Sequence, residues 1–284
     1  MTQTRVHEWS DDTRRHWTEE AARPVRVYVT EPRTRLPGAP TILVSHGTGG
    51  SATTMRWATE PFVDAGFAVI GVDHHGNNYI DGYAPQAFAA WWDRPLDLSF
   101  ALERSADVAT GPVGAFGFSL GGYTVAALLG ARVHPDRFTA LVGGDIPIPP
   151  VPEYPDLRDA IIDATTVEER ATWAGLASAD LRDARVGSAF LVCPSIGPMV
   201  DEDSLASIDR PMAVRWGGAD TITPADENGR RYARYLSDVD GSSAGDDVEH
   251  YWFLADDPDG VDVRRAVATE AVAFFTRTLV PQGS

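Results

Sequence analysis

Gly117-Phe118-Ser119-Leu120-Gly121, followed by Gly122, sets a serine between glycines two positions before and two positions after it. The chemistry open to that spacing is nucleophilic attack by the hydroxyl. A serine held on a strained turn between a strand and a helix points its hydroxyl off the sheet edge. Glycines at the flanking positions remove Cβ atoms that would collide with the turn. The helix N-terminus behind the serine favours the negative charge that develops on an attacked carbonyl. A purely structural glycine-rich turn is the competing reading. The flanks favour catalysis, because an apolar run precedes Ser119 and a run of small residues follows it.

Such a nucleophile needs donors for the oxyanion, and Ser45-His46-Gly47-Thr48-Gly49-Gly50 follows directly on an apolar run, Thr41 to Ser45. The donors expected are the backbone N–H groups of Thr48 and of Leu120, the residue after the serine. A plain glycine-rich turn with a core-facing His46 is the bland alternative, and it weakens once the turn is paired with the Ser119 elbow.

The serine also needs a base and an acid to orient that base. Of the seven histidines, His7 and His16 lie in a polar N-terminal segment and His134 on a turn beside Pro135, all three expected at the surface. His46 belongs to the donor turn, and His74 and His75 come too early for the Ser…acid…His order that goes with this kind of elbow. His250 remains, in a loop followed by aromatic residues. Asp220, in Gly217-Gly218-Ala219-Asp220 at the end of an apolar run, is the acid favoured by position, with Asp226 and Asp247 as rivals. His46, Trp57, Tyr123 and Tyr251 are candidate substrate contacts.

Asp73-His74-His75-Gly76 has the residue types of a metal cluster. Adjacent histidines on an extended segment point to opposite sides, so loop or pocket-wall histidines are expected and no metal. Arg94-Pro95-Leu96-Asp97 could hold an anionic substrate, but an Arg and an Asp three apart are expected to form a local ion pair. Trp91 and Trp92, just before, fit a pocket wall or the core equally well.

The elements that must carry these residues alternate between short β-branched runs and longer helical patterns, which predicts a mostly parallel α/β sheet. Strands are expected at Arg26 to Thr30, Thr41 to Ser45, Phe67 to Val72, Pro112 to Phe118, Val186 to Cys193 and Met212 to Trp216. Helices are expected at Thr53 to Ala65, Pro85 to Val108, Leu120 to Ala131, Pro224 to Leu236 and Val261 to Leu279. From Asp145 to Pro155 five prolines forbid a regular helix. Short helical pieces follow around Leu157 to Ala164 and Val167 to Ala174. The segment 145–183 therefore reads as a cap or pocket-shaping insert within a single domain spanning 1–284. Asp238 to Asp247, rich in Gly, Ser and Asp, reads as a surface loop.

Composition narrows the function. The chain has 284 residues, 43% of them hydrophobic, with 24 basic against 41 acidic residues and a net charge of −17. That balance argues against nucleic acid or an anionic membrane as partner. Every basic residue is an arginine, which excludes a Schiff-base lysine or a phosphate-loop lysine. One cysteine, Cys193, excludes an internal disulfide. Neither a secretory signal nor a long apolar stretch is visible, so a cytoplasmic protein is expected.

Taken together, Val44-Ser45-His46-Gly47, Gly71-Val72-Asp73-His74 with Gly76-Asn77-Asn78, Arg94-Pro95-Leu96-Asp97, Gly117-Phe118-Ser119-Leu120-Gly121-Gly122-Tyr123, Gly218-Ala219-Asp220 and His250 resemble the α/β-hydrolases. More narrowly, they resemble proteins described as predicted dienelactone hydrolases and platelet-activating-factor acetylhydrolases. The resemblance runs from about Arg26 to Leu279. It implies an α/β-hydrolase fold, a Ser119–His250–Asp220 triad and an oxyanion pair at Thr48 and Leu120, with no cofactor. The implied activity is cleavage of a small-molecule carboxylic ester, lactone or thioester through an acyl-Ser119 intermediate. True dienelactone hydrolases use cysteine where this chain has Ser119. Phe118 stands where many relatives have His, and His75 where relatives often have Pro. An acyltransferase or cyclase using the same triad, and a non-catalytic binding protein of the same fold, are the alternatives.

Overall fold

The computed structural model describes residues 3–34, 37–148 and 151–280. Ten strands are described: β1 (Gln3–Arg15), β2 (Ala22–Glu31), β3 (Thr41–Ser45), β4 (Ala68–Asp73), β5 (Asn77–Asn78), β6 (Gly82–Tyr83), β7 (Val113–Phe118), β8 (Val186–Val192), β9 (Met212–Gly217) and β10 (Val239–Gly245). Eight of them form one sheet in the order β1-β2-β4-β3-β7-β8-β9-β10. Every pairing from β4 to β10 is parallel, and β2 joins β4, and β1 joins β2, antiparallel. Strands β3, β4, β7 and β9 are buried at every residue, as expected of a sheet covered by helices on both faces.

The helices are α1 (Arg56–Asp64), α2 (Asp93–Arg104), α3 (Leu120–Ala127), α4 (Pro135–Gly143), α5 (Leu157–Asp163), α6 (Val167–Ala177), α7 (Glu202–Ala206), α8 (Gly229–Tyr235) and α9 (Val261–Leu279). Two apolar layers hold them to the sheet. Phe62 of α1 and Val267, Ala271, Phe274 and Phe275 of α9 pack with Phe116 and Phe190 on one face. Leu98 and Leu102 of α2 and Tyr123 and Val125 of α3 pack with Leu43, Ala115 and Leu191 on the other. No described helix is long and apolar enough to cross a membrane.

Several boundaries differ from the sequence expectation. The expected helix Pro85 to Val108 divides into a 3-10 turn, Pro85–Phe88, and α2. The helix expected at Pro224 to Leu236 is only α8, and α3 stops at Ala127. Asp238 to Asp247 is not a loop over its first part but the edge strand β10, whose polar residues pair through backbone with β9. The polar N-terminal segment is the other edge strand, β1, registered on β2 from Gln3↔Glu31 to Asp11↔Arg23 before a bulge. Segment 145–183 carries α5, α6 and an isolated Val151↔Tyr154 bridge. Its Pro149 and Pro150 lie outside the described residues.

Candidate active site

Ser119 sits between β7 and α3 with φ 56° and ψ −121°, a backbone region that L-residues avoid unless the surroundings impose it. The surroundings here are backbone. A Cβ at Gly117 would strike the carbonyl of Gly121, and one at Gly121 would strike the carbonyl of Ser45. The elbow is also tied to the neighbouring strand end, since Ser119 N–H donates to Val192 O at 2.9 Å and Ser195 N–H to Ser119 O at 3.1 Å.

His250 begins a short 3-10 turn, His250–Phe253, and reaches the elbow from the far end of the chain. Its Nε2 lies 3.1 Å from Ser119 Oγ and its Nδ1 2.8 Å from Asp220 Oδ2. All three residues are buried, at 8% exposure or less. The Phe118 ring lies 4.9 Å from the imidazole centroid and backs it. Asp220 follows β9 and is fixed by its own turn. Its Oδ1 accepts from the amides of Ile222 and Thr223 at 2.9 and 2.7 Å, and its Oδ2 accepts from Thr223 Oγ1 at 2.7 Å. Burial raises the Asp220 pKa, but the His250 hydrogen bond and the Thr223 donors outweigh it and hold the carboxyl below its ordinary 3.8. Asp220, rather than the rivals Asp226 and Asp247, is the carboxylate paired with His250. An arrangement of this kind can pass the serine proton to an imidazole whose other nitrogen is held by an ionised acid.

The turn after β3 faces the same point. A Cβ at Gly47 would lie 3.1 Å from Ser119 Cβ. Among the described residues, no acceptor reaches the backbone N–H of Thr48 or of Leu120. A cavity of about 1190 Å³ opens here, lined by Gly47, Thr48, Ser119 and His250 on its floor. Its walls are mostly apolar and include Ile146, Ile148 and Val151 from segment 145–183, Met199, and Leu254.

The four expected substrate contacts separate. Tyr251 is half exposed and lines the cavity. His46, Trp57 and Tyr123 do not line it, which corrects their placement. His46 is fully buried, with Nδ1 at 2.6 Å from Gly47 O and Nε2 accepting from His74 N–H at 3.2 Å. Trp57 packs edge-on against Phe116 on the opposite layer, and Tyr123 is fully buried in the core. The reason is directional. The Trp57 and Tyr123 side chains pack into the apolar layers on the two faces of the sheet, while Thr53, Thr54 and Phe118 join segments far along the chain in lining the cavity. Of the two undecided tryptophans, Trp91 is part of that wall. His74 lies in the loop between β4 and β5, as expected, but it is fully buried and does not line the cavity, being bonded to Ser45 Oγ at 2.9 Å and Asp97 Oδ2 at 3.0 Å.

Two neighbours went unread in the sequence. Thr223 holds Asp220 and also approaches His250 Nδ1 at 3.2 Å, and an Asp with a Thr three residues on is a turn signal that could have found it. Cys193, at φ 43°, turns its thiol toward the same acid. Burial first, then the Asp220 charge, push that thiol well above its ordinary pKa. Ligand atoms of Cys193, Asp220 and His250 fall within 4.8 Å of one another, but those of His250 and Asp220 are spent on each other.

No protein-family model and no curated protein sequence matches this chain. Solved structures do match over nearly its whole length. Esterase 2 of Thermogutta terrifontis, in a form phosphoramylated by tabun, aligns with a TM-score of 0.59 and 13% identity, covering 98% of this chain and 97% of that one. The esterase domain of a Rhodothermus marinus protein aligns at 0.56 and 14%, covering 97% and 99%. A dienelactone hydrolase from Anabaena variabilis aligns at 0.53 and 14%, covering 96% and 99%. At such identities the likeness is one of fold.

Proposed function

The chain has the α/β-hydrolase fold, and we propose that it is a serine hydrolase cleaving a small, neutral carboxylic ester with a sizeable apolar part. The alignment of buried Ser119 Oγ, His250 and Asp220 at 3.1 and 2.8 Å beside an open cavity supports this reading. In it, His250 Nε2 takes the Ser119 proton as Oγ attacks the acyl carbon. Asp220, ionised and held by Thr223, accepts from Nδ1–H and stabilises the imidazolium. The N–H groups of Thr48 and Leu120 receive the oxyanion. His250 then protonates the departing alcohol, and a water deprotonated by the same imidazole releases the acid from the acyl-Ser119 ester.

The cavity supports the substrate class. Its volume of about 1190 Å³ exceeds what an acetyl ester fills, and its apolar walls favour hydrocarbon over charge. The insert 145–183 contributes Ile146, Ile148 and Val151 to those walls, so the insert sets the length of chain accepted. Hydrolysis of p-nitrophenyl esters from acetyl to decanoyl tests this. Turnover is expected to peak at a medium or longer acyl chain and to fall by at least about 10³-fold in Ser119→Ala. An activity that survives the substitution overturns the reading.

A further inference from the structure

The Arg94-Pro95-Leu96-Asp97 motif takes no part in the steps above, yet Arg94 and Asp97 are 1% and 0% exposed. They do not form the local pair expected of them. Asp97 is held by Arg23 Nε and Nη2 at 2.8 and 2.9 Å, by Arg14 Nη1 at 2.7 Å and by His74 Nδ1 at 3.0 Å. Arg94 makes no ion pair with any described carboxylate. Its donors go to neutral oxygens: Nε to Thr124 Oγ1 at 3.1 Å, Nη1 to Asn77 Oδ1 at 3.0 Å, and Nη2 to Ser45 Oγ at 3.5 Å and to the His46 carbonyl. Burial lowers its pKa to about 9, with Asp97 partly offsetting this, so it is a cation at neutral pH.

A buried guanidinium without a contacting counter-charge is expensive for the fold, and its partners indicate what it does. Ser45 and His46 lead into Thr48. Asn77 Oδ1, which accepts from Arg94, also accepts from Gly49 N–H at 3.1 Å on the far side of Thr48. Thr124 Oγ1, which accepts from Arg94 Nε, donates to Leu120 O at 2.9 Å. One planar group therefore braces both pieces of backbone that carry the two proposed oxyanion donors. We propose that Arg94, acting through Asn77 and Thr124, is the positioning residue of the oxyanion hole, fixing the Thr48 and Leu120 amides relative to each other.

This inference rests on the hydrolase reading, and its test separates the two. Arg94→Met, Arg94→Lys and Asn77→Ala are compared with the wild type on a p-nitrophenyl ester, with kcat counted per site titrated by a fluorophosphonate. Misplacing a group near the chemistry by an ångström costs up to about 10²-fold. We expect kcat to fall roughly 10- to 100-fold in Arg94→Met and Asn77→Ala, with KM moved less than about threefold, and Arg94→Lys to lie in between. Affinity for a trifluoromethyl ketone, whose adduct mimics the tetrahedral state, is expected to fall in step with kcat/KM. Should Arg94→Met fail to fold, Asn77→Ala and Arg94→Lys decide. Folded variants with wild-type kcat, or with a change in KM alone, overturn the inference while leaving the hydrolase reading in place. A wild type that turns over no ester and takes no label removes both.

Discussion

At Ser119 the strained backbone, φ 56° and ψ −121°, has a chemical use in the proposed mechanism. It lifts the hydroxyl to within 3.1 Å of His250 Nε2 while the next amide, that of Leu120, meets no acceptor among the described residues. Asp220 is built with equal care, receiving two amides and a hydroxyl besides the imidazole. In the proposed mechanism its contribution is one of charge and tautomer rather than of shape, and Asp220→Asn isolates it. An asparagine keeps the amide bonds at Oδ1 but offers N–H where Nδ1–H needs an acceptor. We expect kcat on a neutral ester to fall by about 10³- to 10⁴-fold with the fold intact by circular dichroism. A loss below tenfold would mean that the acid does not orient the base.

The elements divide by how their residues reveal them. Strands β3, β4, β7, β8 and β9 were legible because each is a short apolar run, and Ser119, Asp220 and His250 were legible because the turns that end or follow such strands have fixed chemistry. The edge strands were not. In β1, Arg5 pairs with Glu31 at 2.6 Å and Glu8 with Arg26 at 2.5 Å, and β10 has no run of apolar residues at all, so neither carries a burial pattern to read. The brace made by Arg94, Asn77 and Thr124 was equally hidden, since it joins α2, β5 and α3 only through the tertiary fold. Histidines of the β4–β5 region give this layer a measurable signature. Burial first, then nearby arginine charge, lower His74 and His75 from 6.5 to about 3. Between those values the unfolded chain binds protons that the folded chain refuses, so stability falls as pH falls below 6.5. Each such histidine contributes a slope of about 1.4 kcal/mol per pH unit. His75→Gln, away from Ser119, is expected to flatten the dependence of urea-unfolding stability between pH 6 and 4.5 by about that amount. An unchanged slope would show that His75 protonates freely in the folded protein.

Across the whole molecule, residues from distant parts of the chain meet at one end of the sheet. The elbow after β7, the turn after β3 and the acid after β9 are carried on the ends of strands, which keep them rigid, and the base opens the 3-10 turn between β10 and α9. Segment 145–183 lines the cavity beside them with prolines and branched apolar side chains, and N-terminal Arg14 and Arg23 tie the outer strands to Asp97 beneath. Proline spacing alone does not reveal the cavity, because segment 145–183 lines it together with residues far along the chain such as Met199 and Leu254. The central claim concerns one oxygen atom, Ser119 Oγ. Its most direct test is intact-protein and peptide mass spectrometry after exposure to a fluorophosphonate at neutral pH. A single phosphonyl adduct mapped to Ser119, absent from Ser119→Ala, is the predicted result. No adduct, or equal labelling of the variant at another residue, would contradict it.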